Sequence, residues 1–204
     1  MTTHSEWSVS LKARLRNQLG FVDPSLSLNF IESTTVFETA IQRTHKCLDG
    51  TKDKYFHAGV INAGHTGQYC TFLYFLCNEC YQLGLTPEAS AIYALNKALH
   101  GCDLFYEIEL PEVFHLDHPV GSVMGRASFG EFFSFGQNCT VGNNRGIYPT
   151  IGSRVKMCAG SMILGNSTVG DNVIIGAGAI VKDDTIPPNS LVFGQSPELI
   201  IRKR

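Results

Sequence analysis

Residues 151–181 read IGSRVKMCAGSMILGNSTVGDNVIIGAGAIV. An apolar residue recurs at every sixth position: Ile151, Met157, Ile163, Val169, Ile175 and Val181. Four places after each of the first five stands a small or β-branched residue, Val155, Ser161, Ser167, Val173 and Ala179. Glycine follows the apolar position directly at Gly152, Gly170 and Gly176, and a second phased run lies upstream, where Phe129, Phe135 and Val141 precede Gly130, Gly136 and Gly142. Self-similarity at six residues predicts a solenoid in which each hexapeptide forms one side of a triangular coil. The apolar residues then fill the prism and the small ones let strand ends pack at its corners. A β-sandwich would instead alternate with period two and turn roughly every 8–12 residues.

The two runs are out of phase. Val141 to Ile151 is ten residues rather than six or twelve, so about four residues leave the coil between Gly142 and Pro149. Asn143-Asn144-Arg145-Gly146-Ile147-Tyr148 is therefore a loop, the place where a solenoid carries function.

Ahead of residue 104 the period is helical. Trp7, Leu11, Leu15 and Leu19 lead to a stop at Gly20, and Phe30, Phe37, Ile41 and Leu48 lead to Gly50. The very apolar stretch Tyr69–Tyr81 ends at Gly84 and is too short to span a bilayer, which predicts a buried helix. A fourth helix begins at a Thr86 cap with Pro87 in its first turn, lines one face with Ala89, Ile92, Leu95 and Leu99, and ends at Gly101. The reading is an α+β chain: a helical domain over 1–102, a left-handed parallel β-helix over 103–195 and a short basic tail over 196–204.

Composition narrows the function classes. With 204 residues, 44% hydrophobic and 17% charged, the chain has enough apolar material for a core. Sixteen Lys plus Arg against eighteen Asp plus Glu leave a net charge of -2, without the basic excess of a nucleic-acid binder. Neither a leader-like start nor a membrane-length apolar run is present, so the expectation is a cytoplasmic protein without membrane insertion. Seven cysteines suit reduced thiols, and Cys77-Asn78-Glu79-Cys80 reads as a buried structural pair rather than a metal or redox site.

Histidine is the usual base near neutral pH, and only His115 and His118 of the seven lie in the repeat half. They occur in Phe114-His115-Leu116-Asp117-His118-Pro119-Val120-Gly121. On its own, a histidine on a solenoid surface is a solvated residue.

The surrounding motifs change that reading. Leu116-Asp117-His118 with Gly121 and Gly125 resembles the LDHxTGxxxG segment of bacterial serine acetyltransferases, and Asp103 stands fifteen residues before His118, where that family has an aspartate. Gln137, Thr140 and Gly142 are similar to its QxVTxG, Met157–Asn166 to its IGAGAxILGN, and Ile175–Val181 to its IGAGSVV. The resemblance covers about residues 65–200. It implies an acetyl-CoA-dependent O-acetyltransferase acting on a small hydroxyl acceptor, L-serine or a related compound. His118 is then the catalytic base and Asp103 its orienting carboxylate, with no acyl-enzyme and no metal. Coenzyme A is expected along Ala159, Gly160, Ala177, Gly178 and Lys182. Asp117, Arg145 and Tyr148 are expected on the acceptor, and the family suggests a homotrimer or a dimer of trimers.

The chain also departs from the pattern. The Arg-His pair that precedes the repeat-restarting proline in that family is Ile147-Tyr148 here, and the glutamate expected after Gly125 is Arg126. A sugar or polysaccharide hydroxyl is therefore the alternative acceptor. An inactive β-helix scaffold and a metal-dependent hydratase are the remaining classes, and the hydratase needs three histidines where the repeats hold two.

Overall fold

A computed structural model describes residues 4–52, 54–56 and 59–204. The chain divides into two compact units, one ending at His100 and the other running Gly101–Arg204.

The first unit contains α1 (His4–Val22), a 3-10 turn (Asn29–Glu32), a π-helical turn (Thr34–Glu38), α2 (Thr39–Thr51), α3 (Thr66–Gln82) and α4 (Thr86–His100). Leu11, Leu15 and Leu19 of α1 are buried, as the spacing requires. α3 packs against both α2 and α4, which explains its lack of a polar face: Phe72, Leu73, Tyr74, Phe75, Leu76 and Cys77 have no exposed surface. Arg43 of α2 ties down its upper turn, donating to Asn78 Oδ1 at 2.9 Å and to Glu79 Oε1 at 2.6 Å. Burial pushes the Cys80 thiol up to about 12 and Cys77 higher still, so both stay protonated, apolar packing groups.

Two helix stops and one start differ from expectation. Gly20 lies inside α1, and Gly50 inside α2, which ends with Lys52 in the left-handed region at φ 54°. Glycine costs a helix only about 1 kcal/mol relative to alanine, too little to end one that packing supports. At the start of α4 the Ala89 amide already donates to the Leu85 carbonyl, so Thr86 lies within the helix rather than before it. The series Phe30, Phe37, Ile41 runs through 3-10, π and α winding in turn. The buried face is kept while the winding changes. No described helix is long and apolar enough to cross a membrane.

The second unit is a parallel β-helix with three sheets. The first holds β1 (Asp103–Leu104), β3 (Val123–Met124), β6 (Thr140–Gly142), β9 (Met162–Leu164) and β12 (Ile180–Lys182). The second holds β4 (Ser128–Phe129), β7 (Thr150–Ile151), β10 (Thr168–Val169) and β13 (Thr185–Ile186). The third holds β2 (Phe114–Leu116), β5 (Phe133–Phe135), β8 (Lys156–Met157), β11 (Ile174–Ile175), β14 (Ser190–Phe193) and β15 (Ile200–Lys203). Every pairing is parallel except β14 with β15. Residues 200–203 are thus a sheet strand, which the expectation of a separate tail over 196–204 had not included.

Register shows how six becomes a coil. Met157 pairs with Ile175 and Ile163 with Val181, in each case 18 residues on, or three hexapeptides. Val141 pairs with Ile163 and Phe135 with Met157, each 22 residues on, and the surplus of four is the loop after Gly142. All six repeat apolar residues are at most 2% exposed, and the small residues Val155, Ser161, Ser167, Val173 and Ala179 at most 1%. The buried serines are satisfied locally: Ser122 Oγ donates to Gly136 O at 2.7 Å and Ser167 Oγ to Leu164 O at 2.6 Å. Phe129, by contrast, is only half-buried.

Between sheets the chain turns at three corners, each a column of hydrogen-bonded turns. The first corner, after the third sheet, stacks residues 117–121, 136–138, 158–160 and 176–178. Its bonds run Asn138 N–H to Val120 O, Gly160 N–H to Gln137 O and Gly178 N–H to Ala159 O, at 2.8–2.9 Å. The second corner, after the first sheet, stacks residues 125–127, 142–149, 165–167 and 183–184. The third stacks Phe132, Arg154, Asn172 and Asn189, all at positive φ, and Arg204 Nη1 donates to Asn172 Oδ1.

Candidate active site

The first corner positions His118. β2 carries Phe114 into the core, and the Asp117 amide then bonds Phe135 O at 3.0 Å. His118 sits at φ 55° with its side chain exposed, and its carbonyl accepts from Val120 N–H at 2.9 Å. A non-glycine residue in the left-handed region marks a turn held by its surroundings. Gly121 closes this one at φ 78°, donating to Gly101 O at 2.8 Å.

Asp103 is the register partner of Val123, and its amide bonds Ser122 O at 2.8 Å, so it lies half-buried on the coil directly beneath the residues that leave the His118 turn. The fifteen-residue spacing now has a geometric meaning: one coil, 20 residues from Asp103 to Val123, less the five from His118 to Val123. His115 is exposed on β2, in register with Ser134. No three His, Cys, Asp or Glu side chains among the described residues are grouped to hold a metal ion.

Asp117 Oδ2 lies 3.6 Å from Lys156 Nζ, with 45% and 48% of the two side chains exposed. Such a surface pair contributes about 0–1 kcal/mol, so the carboxylate stays available to a ligand. Lys156 was not a candidate in the sequence. It occupies an outward position of β8, and no short motif marks a lysine that reaches along a sheet.

Above His118 the same corner is open. A Cβ on Gly178 would meet nothing within 4 Å, and one on Gly160 would meet only Gly178 N at 3.9 Å. Ala159 and Ala177 flank them, Ala177 exposed and Ala159 half-buried. Four small residues on two adjacent coils leave this stretch of backbone uncovered by large side chains, open to the approach of a narrow ligand.

Lys182, Arg145 and Tyr148 lie elsewhere. Lys182 ends β12 at the second corner, its amide bonded to Ser196 Oγ at 3.0 Å. Arg145 and Gly146, at φ 53° and 81°, form a two-residue hairpin turn in which the amides and carbonyls of Asn144 and Ile147 exchange bonds at 3.0 Å. Asp183 anchors it, accepting from Asn166 N–H at 2.8 Å and Asn144 Nδ2 at 2.5 Å, and these bonds hold its carboxyl below the usual range. Tyr148 is 38% exposed, and the nearby Arg126 guanidinium donates to Glu107 on the coil below. Glu107 is the main cause that raises the Arg126 pKa. Ser122 to Gly125 separates the two corners, about 13 Å at ~3.3 Å per residue. The fold therefore places His118, Asp117 and the four small residues on one corner, with Asp103 on the coil beneath it, and sets Arg145, Tyr148 and Lys182 one face away.

Residues 148–183 match the bacterial transferase hexapeptide (six repeats) model. The chain resembles serine acetyltransferases. The serine acetyltransferase of Synechococcus elongatus is 30% identical over 127 residues, 60% of this chain and 52% of that one. That of Helicobacter pylori strain 26695 is 28% identical over 137 residues, 61% of this chain and 80% of that one. The chain spans about half the length of the first curated relatives it matches. Among solved structures, the serine acetyltransferase of Neisseria gonorrhoeae superposes with a TM-score of 0.75 at 23% identity, covering 98% of this chain and 80% of that one. The same organism's enzyme in complex with serine gives 0.72 at 24%, covering 94% and 83%, and a serine acetyltransferase in complex with CoA gives 0.72 at 20%, covering 98% and 86%. At these identities the serine acetyltransferase structures establish the shared fold, four helices followed by a hexapeptide β-helix.

Proposed function

We propose that the chain is an acetyl-CoA-dependent O-acetyltransferase whose acceptor is L-serine or a related small hydroxyl compound. One observation carries the reading: a corner with an exposed imidazole lies over a coil that carries a carboxylate and under two coils whose small residues leave the backbone open. His118 takes the proton of the acceptor hydroxyl as its oxygen attacks the thioester carbon. The C–S bond then breaks, and the coenzyme A sulfur leaves with that proton returned from the imidazolium. Asp103 keeps the imidazole oriented and stabilises its charged form. Acetyl-CoA lies along Ala159, Gly160, Ala177 and Gly178, with its pantetheine arm against the backbone, and Lys182 meets a phosphate.

The second corner lies about 13 Å away across a sheet face. A site that uses both corners is completed between copies, which favours a homotrimer with the first corner of one copy facing the second corner of the next. Likeness to proteins solved with CoA and with serine supports the choice of substrates. The test is acceptor-dependent release of free thiol from acetyl-CoA with L-serine and with a panel of sugars. Release with L-serine supports the reading, and release with sugars alone replaces the acceptor.

A further inference from the structure

Two opposite charges meet beside the His118 turn. Asp117 immediately precedes His118 at the end of β2, and Lys156 opens β8, two rungs above in the same sheet. Lys156 is exposed and in register with Ser134, and Ser134 with His115, so its stem starts on the outer face of the third sheet. On the rung between, Ser134 and Gly136 are both small, and the long side chain passes down until Lys156 Nζ lies 3.6 Å from Asp117 Oδ2. That separation is an ion pair beyond hydrogen-bond length, so the ammonium keeps its three donors and the carboxylate its acceptor sites. With nearly half of each side chain in solvent, the pair is weak enough for a ligand to intercept.

An α-amino acid carries its ammonium and its carboxylate on one carbon, so its recognition needs an anion and a cation side by side, next to the base that takes the hydroxyl proton. We infer that Lys156 receives the acceptor carboxylate while Asp117 receives its ammonium, the zwitterion entering between the two side chains. Two charge-assisted hydrogen bonds then replace one weak, unbonded ion pair. Arg145 is less suited to the same chain's acceptor, because it lies one sheet face away, about 13 Å across. The inference rests on the acetyltransfer reading above and deepens it by naming how the acceptor is recognised.

The experiment measures acetyl transfer by the full chain to three acceptors: L-serine, 2-amino-1,3-propanediol, which lacks the carboxylate, and 3-hydroxypropanoate, which lacks the ammonium. Lys156→Gln raises KM for L-serine and for 3-hydroxypropanoate by about 10- to 100-fold, the usual effect of losing a charged hydrogen-bond partner, and changes KM for the diol by no more than about twofold. Asp117→Asn shows the opposite preference, raising KM for the diol more than for 3-hydroxypropanoate. Lys156→Gln keeps its fold, since an exposed ion pair contributes little to stability, and its calorimetric affinity for coenzyme A is unchanged. Unchanged KM for L-serine in Lys156→Gln, equal losses for L-serine and the diol, or a loss of coenzyme A affinity instead each overturn the inference while the acetyltransfer reading stands. Wild-type transfer to sugars alone does the same. A wild-type chain that transfers acetyl to no acceptor overturns both.

Discussion

The amide of Gly121 donates to the carbonyl of Gly101 at 2.8 Å, and this bond lashes the turn carrying His118 to the coil carrying Asp103. Neither side chain takes part. The relative placement of the two residues is therefore set by backbone, with a glycine at φ 78° at one end of the bond and one at φ 59° at the other. A Cβ on Gly121 would fall 2.1 Å from Asn138 Oδ1, so the turn also depends on the next coil for its shape.

His118→Ala is expected to lower kcat by about 10²–10⁴ while coenzyme A still binds, since general-base removal typically has that effect. Asp103→Asn is expected to lower kcat with KM for acetyl-CoA within about twofold, because the role proposed for it is exerted through the imidazole. Steady-state kinetics with calorimetric coenzyme A binding check both. Loss of coenzyme A affinity in Asp103→Asn with kcat intact would show that this carboxylate serves the cofactor.

Ala177→Trp places an indole beside Gly178, on the coil above Gly160, at an exposed position. The fold tolerates it, and coenzyme A affinity falls by at least about tenfold, roughly 1.4 kcal/mol. Calorimetry on protein with unchanged circular dichroism is the measurement. Full affinity would move the cofactor to another corner.

Two glycine substitutions separate space from backbone conformation. A Cβ at Gly130 would lie 2.4 Å from Ser153 N and 2.5 Å from Gly152 C, backbone atoms that cannot swing away. Gly130→Ala should destabilise the β-helix by about 3 kcal/mol, the upper end of overpacking. Gly178→Ala has open space but φ 69°, which costs about 1 kcal/mol. Urea unfolding by circular dichroism ranks them, and the reverse order would refute the packing described at these corners.

The helical unit should weaken in acid through His100. Burial holds its imidazole below the ordinary 6.5, with Nδ1 2.7 Å from Asn96 Oδ1 and the ring edge-on to Tyr69 at 5.9 Å. Below pH 6.5 the unfolded chain takes up a proton that the folded chain refuses, so stability is lost as pH falls through that value. Trp7 is the single tryptophan and is buried in this unit, so its fluorescence follows the transition. The midpoint drop between about pH 7.5 and about pH 5.5 should shrink in His100→Gln, and an equal drop would place the sensitivity on another group.

The repeat half was legible because its core is periodic. Ile151 to Val181 kept one register across three sheets, and the ten-residue interval from Val141 located the loop to the residue. His118 and Asp103 were visible through motif and spacing, and one coil of register accounts for the fifteen. What stayed hidden joins residues by stacking rather than by sequence: Glu107 and Arg126 are 19 residues apart, and only coil length brings them together. Lys156 beside Asp117 was missed for the same reason. Helix ends at Gly20 and Gly50 were misplaced because packing outweighs the modest penalty glycine imposes on a helix.

β15 reverses direction on β14 and is exposed at all four residues, Ile200 to Lys203. A solenoid whose last rung matches its first invites another molecule to continue it, and a stack of such molecules is a fibre. Here a strand of opposite polarity, carrying Arg202 and Lys203, lies on β14, so this edge of the third sheet presents to a parallel rung a hydrogen-bond pattern that differs from the one the coils repeat.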